Sequence, residues 1–60
     1  SLRDRLILSE DRSEVVLVST TDGHIFRGAV RSVGIDHVVI EDTAVTRWLS
    51  IAHIVSLEAR

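Results

Sequence analysis

Cysteine and proline are absent from these 60 residues, lysine is absent too, and only two residues, Phe26 and Trp48, are aromatic. Without cysteine there are no disulfides and no thiolate metal ligands, and the chain carries no mark of its redox compartment. No apolar run approaches the roughly 18–20 residues that a bilayer crossing needs. The opening Ser1-Leu2-Arg3-Asp4-Arg5-Leu6-Ile7-Leu8 is too short in its apolar part for a signal peptide, and charges interrupt it. No linker-like or low-complexity tract divides the chain. These absences predict one cytoplasmic domain over residues 1–60 with no membrane association; a barrel domain cut from a longer protein is the alternative organisation.

What is present narrows the class further. Apolar residues make up 45% of the chain, enough for a globular core. A domain this short buries only roughly 60% of its unfolded surface, and small folds without staples often gain burial by self-association. Nine acidic residues face seven basic ones, for a net charge of −2, whereas a dedicated nucleic-acid binder is usually basic. All the basic residues are arginine, which suits carboxylates and phosphates.

Valine, isoleucine and threonine supply almost a third of the residues, which favours strands. The opening segment differs. Ser1 caps a helix over residues 2–9, with Asp4 in an imperfect capping box and Leu2 and Leu6 on one face. Strands are expected over residues 14–21, 25–33, 37–41, 45–51 and 54–58. Asp22-Gly23 is a hairpin signal between the first two, and Gly34 lies in the next turn. In the second strand, period two sends Phe26, Gly28, Val30 and Ser32 inward and Ile25, Arg27, Ala29 and Arg31 outward. Gly28 in mid-strand marks a sharp bend or close backbone approach. The expected fold is therefore mostly β: a short helix, then a strongly bent, five-stranded antiparallel barrel of SH3-like type.

On these residues, the stretch from Val15 to Leu57 resembles the Sm-like superfamily, which includes Sm and LSm proteins and the Hfq RNA chaperones. Asp22-Gly23, Phe26, Gly28, Val30 and Val33 carry the resemblance. The run Trp48-Leu49-Ser50-Ile51-Ala52-His53-Ile54-Val55 is similar to the second Sm motif in length and rhythm. The chain also resembles short bacterial barrels in which a run like Gly34-Ile35-Asp36-His37-Val38-Val39 follows the bent strand. Sm-like rings close by pairing the fourth strand of one subunit with the fifth of the next. The resemblance thus implies a homo-oligomer with Trp48, Leu49, Ile51, Ile54, Val55 and Leu57 at its interface. Where Sm proteins place a base-holding Asn and an Arg-Gly, this chain has His37-Val38 and residues 50–53, so the resemblance bears on fold more than on ligand.

Nothing in the chain matches a nucleophile elbow or a phosphate-cradling glycine loop. No catalytic residue, cofactor or small-molecule substrate is expected. His24, His37 and His53 all fall at turn edges without ligand-pair spacing, and no metal site is expected of them. Arg27 and Arg31, with Arg47 on a neighbouring strand, could form an outward basic stripe, and Arg3 and Arg5 a second group on the helix. Together with Asp36, His37 and His53 these are the candidate RNA contacts, weighed against a solvated surface paired with Glu14, Glu41 and Asp42. If Leu49 and Ile51 face the core, Trp48 faces out, as an interface anchor first and a stacking platform second. The expected role is a non-enzymatic, self-assembling scaffold or partner-binding module, with an Hfq-like RNA-binding protein as the alternative.

Overall fold

Ser1 opens the helix as expected. Its hydroxyl accepts the Asp4 amide at 3.3 Å while the Asp4 carboxylate receives the Ser1 amino group at 3.5 Å, a capping box with Asp in the usual place of Glu. In the computed structural model, which describes residues 1–59, this helix α1 spans Leu2–Asp11. It outlasts the expected stop at residue 9 because polar residues do not end a helix; backbone conformation does. Ser13 adopts a left-handed φ of 54°, and its amide bonds the Glu10 carbonyl while the Glu14 amide bonds that of Ser9. That is a Schellman closure with serine where glycine is usual.

The strands are β1 (Val15–Thr20), β2 (Ile25–Val33), β3 (His37–Glu41), β4 (Thr46–Ser50) and β5 (Ile54–Ala59), with a 3₁₀ turn at Ile51–His53 before β5. They form one antiparallel sheet in the order β4-β3-β2-β1-β5. The sheet bends without closing, so a partial barrel replaces the closed one, and β4 and β5 are its edges. Two expected strand ends shift for local reasons. Val45 belongs to the turn, where its carbonyl accepts the Asp42 amide. Ile51 donates to the Asp36 carbonyl and starts the 3₁₀ turn.

The β1–β2 hairpin is built as its Asp-Gly pair requires. Gly23 takes φ 87°, and the Asp22 carboxylate receives the Thr20 hydroxyl and the His24 amide. The bend in β2 rests on Gly28. A Cβ there would lie 2.5 Å from Ile40 Cγ2 and 2.8 Å from the Glu41 carbonyl oxygen, so β2 and β3 approach more closely than any side chain allows.

One facing in β2 is corrected. Val30 pairs with Ile40 but Ser32 pairs with Val39, which leaves Arg31 as an extra, bulged residue. The bulge shifts the alternation by one. Ser32 is exposed, and Val33 packs on the core in its place.

That core comprises Leu6 from α1, Val16 and Val18 from β1, Val30, Val38 and Ile40 from β2 and β3, and Ile54 and Leu57 from β5. Leu2, Leu49 and Ile51 pack against it. The helix lies over the inner face of the sheet, with Leu6 fully buried there. Among the described residues no helix is long and apolar enough to cross a membrane.

Candidate functional site

Two devices on the outer face and edge of the sheet stand apart from the packing that any small barrel needs. The first is an aromatic stack. Trp48 on β4 pairs in register with Val39, and its side chain is 71% exposed. The His37 ring lies flat against the indole, with centroids 3.9 Å apart and planes within 4°. The absence of a Cβ at Gly34 makes room for that ring, since a methyl group there would strike the imidazole. Asp36 Oδ1 sits 3.2 Å from His37 Nδ1 and fixes its rotation. His37 is thus held between Gly34 and Trp48, half-buried, and is not the solvated turn histidine that its position predicts.

The second device is the edge backbone of β4. The Asp42 amide donates to Val45 and the Ile51 amide to Asp36, so residues 45 and 51 turn their peptide groups towards β3. Antiparallel ladders alternate, so 47 and 49 do the same, and Thr46, Trp48 and Ser50 direct their N–H and C=O groups away from the sheet. Trp48 therefore offers both an exposed indole and an edge-facing peptide.

The other edge differs. In β5, Ser56 pairs with Ser19 and Ile54 with Thr20, which makes Val55 a bulged residue; its side chain is 63% exposed. The Leu57 carbonyl points away from β1 and accepts Arg5 Nη2 of α1 at 2.7 Å. A bulge and an arginine on a carbonyl are both means of blunting an edge strand.

The candidate interface residues consequently divide. Ile54 and Leu57 are core residues, because the bulge and the register with Thr20 and Val18 turn their side chains inward. Leu49 and Ile51 are partly buried against the same core. Trp48 and Val55 remain exposed.

The arginines divide as well. Arg3 donates to the Gly34 carbonyl at 2.8 Å and Arg5 to Leu57, so both tether the helix to the sheet and neither forms a free phosphate-reading pair. Arg31 meets Glu41 at 3.3 Å, the cross-strand pairing expected of a solvated surface. Arg47 does not extend the stripe of Arg27 and Arg31. It pairs in register with the buried Ile40, hence on the inner face, and its guanidinium stands 4.9 Å from the Phe26 ring centre. Arg27 is exposed.

Three aspartates are held below the usual carboxylate range by turn-forming hydrogen bonds: Asp22 chiefly by the Thr20 hydroxyl, Asp42 by the Ala44 and Val45 amides, and Asp4 by Ser1. All three stabilise turns or a helix end. His24 leans on Asp22 at 3.0 Å, and exposed His53 offers its backbone carbonyl to Thr21. No group of three or more His, Asp or Glu among the described residues converges on a metal position. An open cleft of about 340 Å³ lies between β4 and the β1–β2 turn, lined by Thr20, Thr21, Asp22, Phe26, Trp48, Leu49, Ser50 and His53.

The stack was within reach of the sequence in part, since Trp48 and His37 both fall on outward positions of neighbouring strands. The Arg5–Leu57 contact joins residues 52 positions apart and leaves no local signal. No curated protein matches the chain. Residues 7–58 match the family described as "Domain of unknown function (DUF2642)", and the chain is a member of that family.

Proposed function

We propose that this chain is a non-enzymatic, Sm-like module that associates with copies of itself through an open sheet edge and serves, once assembled, as a scaffold or partner-binding surface. One observation carries the reading: β4 is an uncovered edge strand whose outward peptide groups coincide with an exposed tryptophan. Uncovered edges template further pairing, and a large aromatic at such a place is an efficient anchor. The small core supports the same reading, because a 60-residue domain gains from burial between copies. We place the module in the cytoplasm as part of this proposal. Light scattering after gel filtration, at concentrations on the order of tens of micromolar suited to moderate interfaces, is expected to return a homo-oligomer. A folded monomer throughout that range would overturn the reading.

The His37–Trp48 stack favours a second reading, in which the exposed indole receives a base of single-stranded RNA. Exposed Arg27 is then a source of phosphate contact on the sheet, since Arg3 and Arg5 are committed to carbonyls and Arg31 meets Glu41. Binding of this kind would be indifferent to sequence, with a salt dependence that grows only with the number of subunits contributing an Arg27 contact. Fluorescence anisotropy with short uridine-rich and adenosine-rich RNAs is expected to show weak or no binding near physiological salt. Tight, uridine-selective binding would make RNA recognition the primary function.

A further inference from the structure

We infer that the partner of β4 is β4 of a second copy, in a two-fold antiparallel pairing centred on Trp48. This rests on the self-association proposed above and specifies its geometry. Three observations lead to it.

The two edges are not equivalent. β5 carries the Val55 bulge, and Arg5 occupies the outward carbonyl of Leu57, whereas β4 is regular over its whole length against β3. A subunit with one receptive edge cannot propagate head to tail. It closes by pairing that edge with itself, which is an isologous contact.

The hydrogen-bonding phase of β4 fits such a pairing. Thr46, Trp48 and Ser50 present their peptide groups outward, because Val45 is bonded to Asp42 of the β3–β4 turn and Ile51 to Asp36 of the β2–β3 turn. An antiparallel two-fold can pass through any residue of the strand, but only an axis at Trp48 engages all three outward-facing residues; an axis at Arg47 or Leu49 leaves one of them unpaired. Trp48 then stands opposite the partner's Trp48, and Thr46 opposite the partner's Ser50.

The side chains that this register brings together are compatible on both faces. On the outer face an indole meets an indole, and a threonine meets a serine, both favourable cross-strand pairs. On the inner face Arg47 falls opposite Leu49 and Val45 opposite Ile51, so no two like charges confront each other across the axis. The register also keeps each outer face continuous with the other, and the Trp48 indoles enter the contact already oriented by the His37 rings.

The absence of cysteine from the chain allows a direct test. Residues opposite each other in a hydrogen-bonded antiparallel pair have Cα atoms about 5.5 Å apart, within the span of a disulfide. Positions 46 and 50 of one chain are too far apart along the strand to link to each other, and in this register neither lies opposite its own copy. Thr46→Cys/Ser50→Cys should therefore form a covalent dimer under mild oxidation, while Thr46→Cys and Ser50→Cys alone should stay uncrosslinked. Light scattering on the unmodified chain should give twice the monomer mass. Larger assemblies, or a dimer in which the double variant does not crosslink, would overturn the β4–β4 pairing and leave self-association standing. Crosslinking of the single variants to the same extent would also overturn it. A monomer would remove both.

Discussion

Gly28→Val is expected to lose about 3 kcal/mol of stability, the upper part of the range for overpacking a tight site. The cost comes from backbone. A Cβ at position 28 meets the Glu41 carbonyl oxygen at 2.8 Å and Ile40 Cγ2 at 2.5 Å, and Ile40 is itself buried. A flexible side chain could swing aside, but the Glu41 carbonyl belongs to β3, which is paired with β2 on one side and β4 on the other. Relief therefore requires the bend to open and two ladders to shift. A 60-residue domain holds roughly 3–9 kcal/mol in total, so the variant should be substantially unfolded at moderate temperature. Ala29→Val, at the neighbouring outward and half-buried position, is the matched control and should change stability far less. Thermal unfolding followed by circular dichroism compares the three proteins; equal midpoints for Gly28→Val and the parent would place the bend elsewhere.

Leu6→Ala is expected to cost a similar amount, about 3 kcal/mol, within the range found for emptying a fully buried leucine site. Leu6 is inaccessible to solvent and is the one helix side chain in the central core; Leu2 only packs against its margin. Its loss leaves a void between α1 and the strands. The remaining tethers, Arg3 to Gly34 and Arg5 to Leu57, are hydrogen bonds with little apolar burial behind them. Ile7→Ala, one residue on and 39% exposed, should cost less than about 1 kcal/mol. Urea unfolding gives both differences. A Leu6→Ala midpoint no lower than that of Ile7→Ala would mean that the helix contributes little to the fold.

The parts of the fold legible from sequence are those that local chemistry dictates. Ser1 and Asp4 announce the helix start, Asp22-Gly23 announces the first hairpin, and the bounds of β2 and β3 follow from alternation between turns. Errors arise where a non-local choice intervenes. Nothing in the composition of Ser13 says that it will take a left-handed conformation, so the helix end was not readable. Nor does residue type reveal that Arg31 is bulged, and Ser32 and Val33 exchange facings as a result. On β5 the second bulge hides which of Ile54, Val55 and Leu57 points outward. The candidate site follows the same rule. The outward facing of Trp48 follows from alternation alone, whereas its partner His37 depends on a turn geometry that only Gly34 permits. The arginines illustrate the limit most clearly, since a helix position cannot disclose that Arg5 will end on a carbonyl of the last strand.

The Arg5–Leu57 bond has a consequence for the order in which the chain acquires its structure. The strands β1 to β4 form a meander of neighbours in sequence, so their ladders close over short loops and can appear early. β5 must instead return past three strands to lie beside β1, and one tether of the helix waits for the same event, because Leu57 supplies both a core side chain and the carbonyl that Arg5 caps. Closing so long a loop is slow compared with forming a hairpin. An intermediate with four strands paired, β1 bare along one side and the Arg5 tether unmade would be the species most exposed to mispairing, and its lifetime, more than the stability of the finished sheet, would set how cleanly the protein folds.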